Sequence, residues 1–180
     1  SRPFLPSSPM PHYIGIDLGS QALGIATIRP TLSGYELILC EAFHLPPVPL
    51  PERLSLIHHW LTDYLNQAAS PSVVAIESPF VGRNVRSALT LGIVQGLLWG
   101  ILIERGLSLY TLSPAEVKRA LTGRAHASKE QVAAMLQHHL SFACPLPDSE
   151  HATDAAAIAL AAAYYQNSPI TRRLTKRAER

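Results

Sequence analysis

The sequence predicts a mixed α/β fold: a five-stranded sheet whose first three strands are antiparallel, flanked by helices on both faces. Three observations lead there. Short apolar runs rich in branched residues come in succession over the first quarter of the chain. Later runs of this kind alternate with segments of helical period. The 180 residues suit one compact domain, burying about 70% of the surface that the unfolded chain exposes. A 47% hydrophobic composition excludes disorder, two cysteines cannot staple a small scaffold, and no collagen-like or tandem repeat is present.

The elements follow in order. HYIGID (12–17) and ALGIATI (22–28) flank the turn residues Gly19 and Ser20, which reads as a β-hairpin. GYELILCEAF (34–43) is a third strand. HLPPVPLP (44–51) can be neither helix nor central strand, because four prolines remove donors and fix φ. From Glu52 to Ala69, Leu54, Ile57, Leu61, Tyr64, Leu65 and Ala68 recur at helical spacing. SVVAI (72–76) is apolar throughout, as expected of a strand buried on both faces. A long helix over 84–105 is closed by Gly106, and a strand over 107–112 follows. Ser113-Pro114-Ala115-Glu116 is a capping box with proline at the first helical position, and Ser128-Lys129-Glu130-Gln131 is a second helix start. An alanine-rich helix runs from His151 to Tyr165.

Within the long helix, Ser87–Ile103 is an uncharged stretch of 17 residues, the bottom edge of a membrane span. It contains Ser87, Thr90, Gln95 and three glycines between Arg86 and Glu104. The sequence therefore favours a buried core helix and no membrane partner. Cys40 and Cys144 form no CxxC motif, so reduced thiols and a cytoplasmic location are expected. Residues 1–11 read as a flexible leader, 12–166 as the domain and 167–180 as a basic tail. Residues 83–129 hold seven basic and two acidic side chains, and 130–170 hold none and four. That segregation points to a polyanion met from one face.

The chemistry gathers at strand ends. Asp17 ends one apolar run and Glu77 another; on parallel neighbouring strands both carboxylates leave the carboxyl edge of the sheet, where open α/β sheets bind ligands. His151 and Asp154 lie three residues apart at the start of the last helix and share one of its faces. Small residues follow them, so this helix can lie close against the sheet. Three carboxylates and an imidazole suit Mg²⁺, or Mn²⁺ given the imidazole, and two such ions can drive phosphodiester cleavage.

GIDLGSQALGIATI (15–28), AIESPFVGRNVRSALTLGIVQG (75–96), SPAEVKRALTG (113–123), SKEQV (128–132) and HATDAAAIALAAAYY (151–165) together resemble the successive motifs of the RuvC family of Holliday-junction resolvases. The resemblance implies an RNase H-like nuclease domain and a homodimer that nicks two opposed strands of a four-way DNA junction. It also implies two Mg²⁺ ions per active site, 5′-phosphate and 3′-hydroxyl ends, and partnership with the RuvA–RuvB branch-migration complex. Asp17, Glu77, His151 and Asp154 fall on the family's four catalytic, metal-binding positions. Leu18 departs from the proline common after the first aspartate, which should affect only turn rigidity. Phe80 falls on the aromatic that the family places near the junction centre, Lys118 and Lys129 match basic positions implicated in DNA contact, and Arg83 and Asn84, in the corresponding strand-to-helix segment, are expected to contact DNA with them. A base stacked on Phe80 would contribute about 1–3 kcal/mol.

Gly92, Gly96 and Gly100 form one stripe on the long helix, which we assign in part to the dimer interface. IGIDLGSQALGIA is also similar to the phosphate loop of actin-like ATPases, but those folds need a second domain for which this chain has no room. Another RNase H-like nuclease, acting on branched or RNA-containing substrates, is the nearer alternative.

Overall fold

The computed structural model describes residues 10–67, 72–78 and 84–168. In chain order these form β1 (His12–Leu18), β2 (Ala22–Pro30), β3 (Tyr35–His44), α1 (Leu50–Gln67), β4 (Ser72–Glu77), α2 (Val85–Glu104), β5 (Ser108–Leu112), α3 (Pro114–Thr122), α4 (Lys129–His139), β6 (Leu140–Phe142) and α5 (Glu150–Asn167). The sheet order is β5-β4-β1-β2-β3-β6. β1, β2 and β3 pair antiparallel, whereas β4 runs parallel to β1 and β5 parallel to β4.

The sheet has six strands among the described residues, not five. The added one, β6, pairs parallel with the start of β3 through Leu140, Ser141 and Phe142. Three residues directly after a helix carry no readable alternation, and their strand state comes from docking on an open edge.

Strand alternation sorts the side chains. Ile14, Ile16, Leu23, Ile25, Val74 and Ile76 face one side, where Ile57, Leu61 and Tyr64 of α1 and Val94 and Leu98 of α2 close over them. Tyr13, Ala26, Ile28, Val73 and Ala75 face the other side, beneath the alanines of α5 and the inner residues of α3 and α4. Side chains two apart share a face, so Asp17 and Glu77 project towards α5. Both helix starts read from the sequence are reciprocal capping boxes, Ser113 with Glu116 and Ser128 with Gln131. Each satisfies two amide donors that a helix start leaves unpaired.

α5 lies unusually close to the sheet because glycine stands beneath it. A Cβ at Gly15 would come 2.1 Å from the Ala155 carbonyl oxygen, and one at Gly24 would come 1.9 Å from that of His151. No other residue fits at either place without displacing backbone.

α2 corrects the expectation of a buried core helix. Its buried residues are Val94, Leu98, Ile101 and Leu102, whereas Val85 is 80%, Leu89 65% and Ile103 64% exposed. Length and apolar composition alone would let it cross a bilayer. Here one stripe packs beside α1 on the sheet and the opposite face has no cover. Sequence could not separate a helix apolar all round and buried from one with a second apolar face left open.

Candidate active site

Parallel pairing of β1 with β4 ends at Ile16 and Ile76, so the next residues, Asp17 and Glu77, leave adjacent strand tips at the same level. The first turn of α5 crosses these tips. His151 Nδ1 lies 2.6 Å from Asp17 Oδ2, a contact in which the ring N–H donates to the carboxylate. Metal-ligating histidines are commonly oriented in this way, one nitrogen held by a carboxylate and the other left with a free lone pair. Asp17 is only 8% exposed.

The electrostatics show how closely the groups converge. Burial raises the Asp17 carboxyl, with the His151 contact working against the rise. Glu77 is pushed up to about 7, first by burial and then by Asp17 and Asp154, with Lys118 and Lys129 opposing them. Asp154 is raised by burial and then by Asp17, with Lys129, His151 and Lys118 opposing. Each of the three carboxylates therefore feels at least two of the other predicted groups, His151, Lys118 and Lys129 among them. A cavity of about 470 Å³ opens beside them, and Glu77, Asp154, Lys118 and Lys129 all line it.

Three partly buried carboxylates with an imidazole are a suitable oxygen-rich donor set for Mg²⁺ or Mn²⁺. Their mutual repulsion is the cost that a cation relieves. In the present rotamers no group of three such side chains among the described residues is arranged to hold an ion. The donors are assembled at the edge without being closed around a point.

The model for the family described as crossover junction endodeoxyribonuclease RuvC matches residues 13–162. The chain belongs to the RuvC family. A crossover junction endodeoxyribonuclease RuvC from Pelodictyon phaeoclathratiforme is 38% identical over 148 residues, 82% of this chain and 76% of its own length. The RuvC from Pseudomonas paraeruginosa is 34% identical over 155 residues, 86% of this chain and 87% of its own. Among solved structures, Thermus thermophilus RuvC in complex with Holliday junction substrate superposes with a TM-score of 0.78 at 32% identity, covering 87% of this chain and 94% of that one.

Of the residues expected to meet DNA, Lys118 and Lys129 line the cavity beside the carboxylates. Lys129 is held by an ion pair with Glu150, both side chains well exposed, a kind of contact worth about 0–1 kcal/mol that a phosphate can displace. Asn84 is the N-cap of α2 and accepts a hydrogen bond from the Ser87 amide, a structural task that the sequence reading did not assign. Phe80 and Arg83 lie outside the described residues, as do 1–9 of the leader and 169–180 of the tail.

Sequence reasoning missed Gly15 and Gly24, and it read Gly19 only as a turn residue. A Cβ at Gly19 would come 2.7 Å from His151 Cε1, so this turn glycine makes room for the ring. The chain held a partial signal: glycines at 15 and 24 interrupt two strands otherwise rich in branched residues, a common mark of close backbone approach.

A stability prediction follows from Glu77. Its native carboxyl sits at about 7, against an ordinary 4.5. Between those values the folded state binds more protons than the unfolded state, so stability falls as pH rises through the window. Without divalent metal, Glu77→Gln is expected to melt above wild type at about pH 8 and to lose that advantage below about pH 4.5. Thermal unfolding in chelator across this range checks it, and a lower melting point for the variant at high pH contradicts it. Added Mg²⁺ should stabilise wild type more than the variant.

Proposed function

We propose that this chain is a structure-selective endonuclease that resolves four-way DNA junctions in recombination and repair, hydrolysing one phosphodiester bond in each of two opposed strands. The carrying observation is the convergence of Asp17, Glu77, His151 and Asp154 at one sheet edge in a member of the RuvC family. The solved relative in complex with Holliday junction substrate supports the choice of DNA.

Asp17, Glu77 and Asp154, with His151, would hold two Mg²⁺ ions, with Mn²⁺ as the alternative. Bound there, the ions would activate the attacking water and neutralise charge on the leaving 3′ oxygen, giving 5′-phosphate and 3′-hydroxyl ends. Asp17 orients His151 through the Nδ1 contact. Lys118 and Lys129 hold the phosphate backbone over the cavity, offsetting the repulsion that three carboxylates exert on DNA. We assign base stacking at the junction to Phe80, and backbone contact to Arg83 and Asn84.

Paired cuts on opposed strands call for a two-fold assembly, and α2 offers the surface. At 100° per residue, Val85, Leu89, Gly92, Ile93, Gly96, Trp99, Gly100 and Ile103 fall within an arc of about 120°. The five apolar side chains among them are exposed, and among the described residues nothing lies within 4 Å of a Cβ at any of the three glycines. Among these residues the glycine stripe serves no close approach; we assign this face to the homodimer. The RuvA–RuvB complex is proposed as the partner that delivers the junction. Cytoplasmic location is supported by the free thiols of Cys40 and Cys144.

A four-way junction, a linear duplex of the same sequence and an RNA–DNA hybrid, each incubated with the protein in Mg²⁺, test the substrate. Symmetric nicks confined to the junction are expected; equal cutting of the hybrid favours the alternative nuclease. Leu89→Glu places a charge in the centre of the open α2 face and is expected to give monomers by sedimentation, with uncoupled single nicks. Wild-type dimers from this variant overturn the interface.

A further inference from the structure

A second cavity, of about 400 Å³, opens at the β1–β2 turn, beside the residues that seat His151. Its lining is Ser20 and Gln21 of the turn, His44 at the end of β3, Leu45 and Pro47 just beyond, and Arg53 of α1. None of these residues has a part in the chemistry described above.

Arg53 is a cation with little to bind. Its Nη1 and Nη2 donate to the carbonyls of Ser20 and Val48 over 3.4 Å each, beyond the usual range for such bonds. Its Nε is buried with no hydrogen-bond partner, and among the described residues no carboxylate forms an ion pair with it. A buried donor left unmatched is costly and uncommon in a native protein. Structural pinning of the turn would use short bonds to these carbonyls; a guanidinium whose terminal nitrogens have only long contacts suits a phosphate, which it can grip through two parallel N–H donors.

The location fits a strand crossing the catalytic edge. Gly19 lies against the His151 ring and the next residue, Ser20, accepts from Arg53, so the turn that seats His151 is also a wall of the second cavity. α1 covers the sheet face opposite α5. Arg53 thus flanks the site on the side away from Lys118 and Lys129. DNA held from both sides would be fixed in direction across the catalytic carboxylates.

We propose that the Arg53 cavity is a phosphate-binding subsite for the substrate DNA strand, with the His44 imidazole and the Ser20 and Gln21 side chains as its remaining polar groups. Its ligand rests on the nuclease reading above; the site itself rests on the cavity and the unmatched guanidinium.

The test measures binding of a four-way junction over a series of salt concentrations in Mg²⁺, using Asp17→Asn protein so that no strand is cut. Each phosphate contact contributes about 0.9 to the slope of log affinity against log salt. Adding Arg53→Gln should weaken binding about tenfold and reduce that slope by about one per protomer, whereas Arg53→Lys should keep the slope. An unchanged slope in Arg53→Gln overturns the proposal. So does equal loss of melting temperature in both variants with the slope intact, which makes Arg53 a pin for the turn. Stabilisation of wild type by inorganic phosphate, absent in Arg53→Gln, with an unchanged DNA slope, also overturns it in favour of a free-anion site. If junction and plain duplex bind alike and Arg53→Gln still lowers both slopes, the subsite stands and junction selectivity fails. If the protein binds no DNA, both fail.

Discussion

Asp17→Asn is expected to lower junction cleavage by about 10³-fold or more while junction binding persists or tightens. Asp17 is the most buried of the three candidate carboxylates, touches His151, and raises both Glu77 and Asp154. Asparagine keeps the shape and can still accept from His151 Nδ1, so the turn and the helix start should stay in place. What disappears is the anionic oxygen at the centre of the site. Removing a partly desolvated charge from among like charges should not lower the melting temperature of metal-free protein. Cleavage and binding read on the same junction separate the two roles. Wild-type cleavage by this variant would remove Asp17 from the metal site and with it the chemistry proposed here.

Gly24→Ala is expected to cost more than its single methyl suggests. The new Cβ would sit 1.9 Å from the His151 carbonyl oxygen and 2.4 Å from its carbon. Both are backbone atoms at the start of α5, so no side-chain rotation relieves the clash. The helix must lift, carrying His151 and Asp154 away from Asp17 and Glu77. Overpacking costs about 1–3 kcal/mol and sometimes more. In a chain of this length each kcal/mol lowers the melting temperature by about 2–4 °C, so a fall of about 2–12 °C is expected. Cleavage should be lost even at temperatures where the variant is folded, because the two halves of the site no longer meet. A variant that melts and cuts like wild type would show that the close seating of α5 does not position the site.

Local signals were readable in the chain and long-range ones only where they came in pairs. The capping boxes at Ser113 and Ser128, the hairpin around Gly19 and the Ala-rich last helix are written in neighbouring residues, and each stands where it was expected. The site was legible because Asp17 and Glu77 end two similar strands and His151 and Asp154 share a helix face, so few pairings could bring them together. The Asp17–His151 contact itself spans 134 positions and leaves no local trace. β6 escaped notice because three residues cannot display a period. The open face of α2 did too, because hydropathy does not say whether an apolar side chain meets the same protomer or another. Gly15 and Gly24 explain why the helix lies so near the sheet, but their meaning depends on what rests above them. Arg53 reads as an ordinary helix cation until Nε is seen to lack a partner and its terminal nitrogens to reach the turn only by long contacts.

The central claim is that Asp17, Glu77, His151 and Asp154 form one centre for divalent ions. Anomalous diffraction from crystals of the protein soaked in Mn²⁺ tests it most directly. Peaks within about 2.3 Å of oxygens from Asp17, Glu77 and Asp154 are predicted, since hard cations bind carboxylates near that range. Mn²⁺ bound elsewhere, in a protein that cuts junctions in the same buffer, would contradict the account.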